Sequence, residues 1–485
     1  MAEAPIVTRA TKRLQLRTVE PTVAERHASW LELFFDLVFV IAVAHVARIL
    51  AGQTDADGFI RYLVLFAPVW WSWIGFTFYA DRFETEEAAY RVLMFAGMLG
   101  VIGLSLTLGS AFSPQGDLPF VVCCAFVRLV LALLYVRAAY YVPLARSYSI
   151  PFVAGLAGSS CILLGSLLVD PPYRYVMWAL AFALELATPF LNLKATRAVP
   201  IDRSHIPERL GLFTIIVLGE AVVAVANSAS QIGWSAPIIA ASCMGFAMAA
   251  CIWWINFEFV EDSAVRSRSL LPRFIYLYGH FVMLASIVAI GIGVEHAIKE
   301  TVEPHLHFAS LALMAGGAAV YLTVITIIRL ITGVCNLVYS RFVAIAAMLV
   351  IMLTGGLLPP LAVFAAVLAV MAVNVWLEAF YAEEHEADET PFLEPCDHAP
   401  DMQVFEARTH HGCEECVKNN YKWVHLRLCL VCGHVGCCDT SVYKHATKHF
   451  HNTDHTLIAS LEAGENWAWC YVDNRFVPLP KVVES

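Results

Sequence analysis

Twelve stretches of the chain are apolar over about 20 residues, the length of helix that crosses a hydrocarbon core roughly 30 Å thick. They lie near residues 30–50, 59–80, 91–112, 118–141, 150–169 and 173–193, then 209–230, 234–259, 272–294, 305–330, 340–357 and 359–381. Inside a bilayer every backbone polar group must be bonded within the protein, so runs of this length become helices. Composition leaves no soluble alternative: 59% of the 485 residues are hydrophobic and 15% are charged, against roughly 45–50% and about 25% in soluble domains. A net charge of −10 without a basic stripe also excludes a nucleic-acid partner. The last two spans are separated only by Gly355, Gly356, Pro359 and Pro360.

Lys and Arg distinguish the two sides. Excess basic residues collect on cytoplasmic loops, and eighteen fall on one alternating set of loops against at most four on the other. This predicts an even number of spans with both termini in the cytoplasm. The polar segment 1–29 has no cleavable hydrophobic region, so the first span is expected to act as an uncleaved anchor. The remaining boundaries expected are a multispan domain at 30–381, an acidic linker at 382–395, a Cys/His-rich domain at 396–475 and a tail at 476–485. Arg91 and Gly97 recur as Arg273 and Gly279, and Trp70–Trp71 as Trp253–Trp254, at offsets of 182 and 183 residues. A parallel 6+6 duplication accounts for this; coincidence in an apolar alphabet is the alternative.

Ionisable residues within spans are costly and mark functional candidates. Glu32 and Asp36 are four residues apart and share one helix face; Asp36 lies roughly 9 Å below Trp30 at 1.5 Å per residue. Glu208 and Arg209 suit the membrane interface, and Glu220 falls roughly 16 Å further along the same span, beside Gly219, which permits close helix approach. Glu185 and Arg128 sit at similar depth, so the three groups are expected to face one another. The functional reading is a proton or cation relay; the structural one is a buried Arg–Glu pair that only holds helices together. His280, alone in its span, reads more readily as a hydrogen-bonded neutral residue than as a shuttle.

Eight of the 14 Cys and ten of the 17 His lie from His385 onward. Cys413-x2-Cys416 and Cys429-x2-Cys432 are followed by Cys437, His445, His449 and His455. Eight thiolate and imidazole ligands suffice for two tetrahedral Zn²⁺ sites and disfavour Mg²⁺ and Ca²⁺. Cytoplasmic placement argues against disulfides. The expected fold class is therefore an α-helical polytopic membrane protein with a small α+β zinc-finger domain.

The strings WLELFFDLVFV, ERLGLFTIIVLGE and YGHFVML resemble the bacterial low-temperature-requirement A family over roughly residues 20–385. That resemblance implies a multispan bacterial membrane protein linked to growth in the cold, without an established activity. Residues 394–475 resemble the ubiquitin-protease-type (UBP) zinc finger. The family's cross-braced arrangement implies one zinc on Cys413, Cys416, Cys437 and His445, and a second on Cys429, Cys432, His449 and His455. Members with a third zinc imply a further site at Cys396, His398 and Cys470, with Asp473 standing where a second closing Cys is usual. Ubiquitin-binding members carry Gly-Arg after the Cys437 position; here Cys438 and Asp439 stand there, which disfavours the ubiquitin tail. Trp469 and Tyr471 match the family's aromatic pocket, leaving an unidentified protein or peptide as its expected partner.

Two functional classes follow for the whole chain. One is an ion-coupled carrier in which Asp36, Glu185, Glu220 and Arg128 line a midplane site regulated by the zinc domain. The other is a sensor or scaffold whose spans anchor the finger. No nucleophile–base arrangement is visible and the Cys/His sites are closed, so no enzymatic activity is expected.

Overall fold

The computed structural model describes residues 14–16, 28–84, 87–113, 116–199, 205–233, 235–258, 270–332, 337–386, 396, 398, 407–409, 412–419, 421–439, 441–462, 467–473 and 475–477. Most of the 1–29 segment, the linker from 387 and the tail from 478 lie outside them.

Among the described residues, twelve helices are long and apolar enough to cross a membrane: α1 Trp30–Gly52, α2 Ala56–Arg82, α3 Ala88–Ser110, α4 Asp117–Tyr141, α5 Pro143–Leu168 and α6 Tyr173–Leu191, followed by α7 His205–Ser230, α8 Ala236–Glu258, α9 Pro272–Val302, α10 Phe308–Ile331, α11 Val338–Leu357 and α12 Pro360–Phe380. Helix continues from α12 to Glu386, so the acidic stretch expected to open a linker at 382 begins as helix. Chain entry into α1 is fixed by a capping box. Ser29 N donates to Glu32 Oε2 at 2.8 Å while Glu32 N donates to Ser29 Oγ at 3.3 Å. Asp55 caps α2 by a single bond, its Oδ1 accepting from Gly58 N at 2.8 Å. These caps satisfy amide donors that would otherwise be left open where the helix starts.

The packing order repeats along the chain. α1 packs on α2 and α3, α3 on α4, and α4 on α5; correspondingly α7 packs on α8 and α9, α9 on α10, and α10 on α11. α1 and α7 also meet each other. α9 is the most enclosed span. A π-turn at Ala312–Gly316 interrupts α10. Opposite it a Cβ at Gly293 would stand 2.4 Å from Met314 N, so only glycine allows α9 this close to the turn. Outside the spans, β1 Gln15–Leu16 pairs antiparallel with β2 Phe83–Glu84.

The carboxyl-terminal unit separates from the spans near Glu378. It contains a five-stranded antiparallel sheet in the order β4-β3-β5-β6-β7, where β3 is Leu426–Cys429, β4 Val435–Cys437, β5 Leu457–Ser460, β6 Ala468–Cys470 and β7 Arg475–Val477. β7 thus runs two residues past the expected domain end at 475. Two helices, α13 Glu414–Lys418 and α14 His445–Thr453, complete it. Its apolar core is small, centred on Leu430, Leu457, Ala459, Ala468 and Val477, so metal ligation must supply much of its folding energy.

Candidate zinc centres and intramembrane charges

Three groups of four ligand atoms, each lying within 4.8 Å of one another, form in the carboxyl-terminal unit. Tetrahedral Zn²⁺ with Zn–S about 2.3 Å and Zn–N about 2.0 Å sets ligand–ligand edges of roughly 3.3–3.8 Å. In the first group His445 Nδ1 lies 3.2 Å from both Cys413 and Cys416 Sγ and 3.4 Å from Cys437 Sγ, with Cys416 and Cys437 sulfurs 3.9 Å apart. In the second, Cys432 Sγ is 3.3 Å from His449 Nε2, Cys429 Sγ is 3.6 Å from His455 Nδ1, and the two histidine nitrogens are 3.2 Å apart. These are the edges of two tetrahedra, and their ligands interleave along the chain. The third group joins Cys396, His398, Cys470 and Asp473: His398 Nδ1 is 3.1 Å from Asp473 Oδ2 and 3.7 Å from Cys470 Sγ. Asp473 is the most exposed of the four, and the side-chain contacts of Cys396 and then His398 hold its carboxyl below the usual range.

The sheet and helices position these ligands. β3 ends at Cys429, and the turn that follows closes with Gly433 N donating to Cys429 O at 2.9 Å; Gly433 adopts φ +74°, a region that favours glycine. His445 opens α14, and His449 lies one turn further on the same face. Around the ligands, His434 bonds Glu415 at 2.7 Å and stacks on the His449 ring with centroids 4.1 Å apart. Gly436 in β4 lies against the start of α14, where a Cβ would meet Ala446 N at 2.5 Å. Gly436→Ala is therefore expected to push His445 off the first site. Zinc titration should show one of the two Cys/His sites weakened at least tenfold while the other is retained.

Asp439 accepts a hydrogen bond from the Thr447 hydroxyl, and Thr447 reaches Tyr471 OH at 3.2 Å. The groove above it is lined by Arg427, Asp439, Trp467, Trp469, Tyr471 and Phe476, among others. Trp469 packs edge-on against Phe476, and Arg427 lies over Trp467 at 4.7 Å.

In the spans, the intramembrane charges form separate clusters, not one midplane site. Glu32 and Asp36 of α1 meet Arg209 and His205 of α7, and Asp81 of α2. Arg209 Nη2 bonds Asp36 Oδ1 at 2.6 Å, and Arg209 Nη1 is 3.3 Å from Glu32 Oε1. His205 bridges Glu32 at 3.2 Å and Asp81 at 3.0 Å, and Trp73 Nε1 donates to Asp36 at 2.7 Å. All five ionisable side chains are buried. Each helix contributes polar residues at i, i+4: Glu32/Asp36, His205/Arg209 and Trp73/Thr77/Asp81. Assigning Arg209 to the interface hid it as the partner of the two acids. The His205-x3-Arg209 spacing was the signal that could have revealed it.

A second cluster joins α4 to α6. Arg128 Nε donates to Glu185 Oε1 at 2.5 Å and Nη1 to Cys124 O at 3.0 Å; Ser159 Oγ donates to the same Glu185 oxygen. The guanidinium lies over Phe182 at 4.9 Å. Glu220 does not join this pair. It is half-buried on α7, and the charges acting on it are Arg48, Glu295 and His45. Depth along two helices fixes height but not which way each residue faces, which is why the three groups do not converge. Gly219 also makes no close approach, since a Cβ there would have open space. The tight crossing of α7 and α9 is instead at Gly291, where an added Cβ would stand 2.8 Å from Ala221 Cβ. His280 is buried, with Nδ1 2.6 Å from Tyr276 O on its own helix. A further cluster missed in the sequence joins Arg341 to Glu378 at 2.5 Å, with Arg329 on the other carboxylate oxygen. It ties α10 and α11 to α12 as Arg128–Glu185 ties α4 to α6.

A cavity opens beside the second cluster, between α2, α4, α5, α6 and α9. Its wall includes Trp71, Phe78, Tyr135, Phe152 and Tyr278 together with Arg128 and Glu185. A second cavity shares Phe78, Phe152, Pro189 and Tyr278 with it and continues to Arg82 and Arg273.

Spans, cavity and ligand clusters define a multispan membrane protein carrying a cross-braced zinc-binding domain. Residues 27–376 match the family described as bacterial low temperature requirement A protein (LtrA), and residues 413–481 the Zn-finger in ubiquitin-hydrolases and other protein. The chain belongs to the LtrA family. It is 26% identical over 325 residues to an uncharacterized protein of Rhizobium meliloti (strain 1021), covering 61% of this chain and 79% of that protein. A solution NMR structure of a Rhodopseudomonas palustris protein is 46% identical, covers 18% of this chain and 85% of its own, and has a TM-score of 0.18.

Proposed function

We propose that the spans form a proton-coupled carrier of the inner membrane, with both termini cytoplasmic and the zinc domain acting on it as a regulatory binding module without enzymatic activity. The observation that carries this reading is the cavity ending on the buried Arg128–Glu185 pair. A scaffold needs packed helices, whereas a carrier needs an enclosed space that meets fixed charge near mid-membrane. Among the candidate acids, Glu32, Asp36 and Glu185 are held by cations. Glu220 is half-buried without a hydrogen bond or ion pair among the described residues, which suits it to exchange the coupling proton.

Proteoliposomes on a solid support, given an inward pH gradient, are expected to pass a transient current that Glu220→Gln reduces at least tenfold while leaving the fold intact. Equal currents from both would remove Glu220 from the reading. The buried, ion-paired Arg209 cluster favours a second reading, in which these charges only clamp helices and the spans anchor the finger. No current from either form under any tested gradient points there. In both readings the aromatic groove by Trp469 and Tyr471 accepts a protein or peptide, and Asp439 disfavours a free carboxylate tail of the ubiquitin type.

A further inference from the structure

We infer that His205 holds a bound proton between Glu32 and Asp81, and that this proton clamps α1, α2 and α7 until the pH on the membrane face where α1 begins rises.

The stereochemistry of the ring carries the site. His205 Nδ1 lies 3.0 Å from Asp81 Oδ1 and Nε2 lies 3.2 Å from Glu32 Oε1, so each ring nitrogen meets a carboxylate oxygen. A neutral imidazole has one N–H and one lone pair, whereas the imidazolium has two donors. With a neutral ring, one nitrogen would bring its lone pair up to a carboxylate. With a charged ring, both contacts are attractive and charge-assisted. The His205 side chain is 0% exposed, so no water screens these contacts. Arg209 Nη1 stands 3.3 Å from the same Glu32 oxygen, a cation that places the proton on the ring and not on Glu32. The surrounding charges come from three helices. α1 supplies Glu32 and Asp36, the latter bonded to Arg209. α2 supplies Asp81 and its neighbour Arg82, which donates to the carbonyls of Val199 and Phe78. α7 supplies Arg209 and Glu208, whose Oε1 accepts from Ala28 N. From α5, Tyr148 lies within reach of the Asp81 charge.

Glu32 is also the way out. Its Oε2 accepts from the amide of exposed Ser29 at 2.8 Å, while its Oε1 touches the buried ring. On release, the Nε2 proton passes to Glu32 Oε1 and leaves that carboxyl for water at the helix start. His205 keeps its Nδ1–H on Asp81, and the Nε2 lone pair then opposes a carboxylate. The junction of α1 with α7 loses an attraction and gains a repulsion.

The proton site stands on ring geometry alone; making its proton part of transport rests on the carrier reading. Nitrogen NMR of the full chain in lipid, labelled at histidine, tests it. Ordinary histidines are largely neutral at about pH 7.5, and metal-bound ones are neutral. One imidazolium signal is expected there, and it should vanish in His205→Asn. Glu32→Gln keeps the cap on Ser29 and offers an amide donor to Nε2, so it is expected to fold and to show no imidazolium at that pH. Absence of the signal from the wild type, or its persistence in either variant, would overturn the proposal. Because the folded state holds the extra proton, the unfolding midpoint in detergent should fall as pH rises from about 7.5 to about 9.5, and fall less in Glu32→Gln. Equal slopes would overturn the clamp. The pH-gradient current separates the two readings: a Glu32→Gln current equal to that of the wild type, with the imidazolium gone, keeps the proton site and removes it from any transport cycle.

Discussion

Replacing Arg209 by Met is expected to cost about 3–5 kcal/mol of stability, because it strands Glu32 and Asp36 in the protein interior without their cation. Arg209 is 1% exposed and contacts both acids, so neither can turn to water without breaking the α1–α7 packing. The expected result is a large fall in the amount of folded protein recovered in detergent and a lower unfolding midpoint. Neutralising the acids as well, in Glu32→Gln/Asp36→Asn/Arg209→Met, is expected to restore most of the loss. Gln at 32 still completes the cap on Ser29, so the rescue reads the charge cluster and not the helix start. Equal damage in the single and triple variants would show that the side chains' shape, and not their charge, holds these helices together.

Zinc removal is expected to have a comparable effect on the other unit. Strong chelation of the full chain should abolish the chemical-shift dispersion or exchange protection of β3–β7 while the spans remain helical. Metal analysis before chelation is expected to give three zinc ions per chain, and Asp473→Ala two. A value of two for the unaltered chain would restrict zinc to the Cys/His sites. The pH dependence has a definite sign. Burial pushes the Cys429 and Cys396 thiols up to about 11. At pH 7 without metal both therefore hold their protons, and zinc must displace them. Apparent zinc affinity should fall as pH falls, and binding at pH 7 should acidify a weakly buffered solution.

How much of this was legible in the sequence divides by the kind of signal. Span length and apolarity are one-dimensional properties, and all twelve helices follow from them. The zinc ligand sets were equally legible, because ligand spacing and type carry the chemistry and the resemblance gave the cross-brace. Charge pairing inside the membrane was not. Glu220 and Glu185 lie at similar depth but point into different neighbourhoods, and facing depends on helix rotation, which hydropathy does not encode. Arg209 reads as an interfacial residue, and Asp81, His205 and Glu378 give no signal of their own, because each sits near a span end. There a charge looks like a loop residue until its partner helix is known.

The Arg–Glu ties between the fourth and sixth helix of the first half, and between the fifth and sixth of the second, bear on how the chain is made. Arg128 emerges from the ribosome 57 residues before Glu185, and Glu185 arrives on the least apolar of the twelve helices. Neither is comfortable in lipid alone, so pairing with a guanidinium already placed in the fourth helix lowers the cost of inserting the sixth. Arg341 likewise precedes Glu378 by 37 residues. A nascent chain cut short between them exposes an unanswered guanidinium, the kind of defect by which membrane quality control can tell an unfinished protein from a finished one.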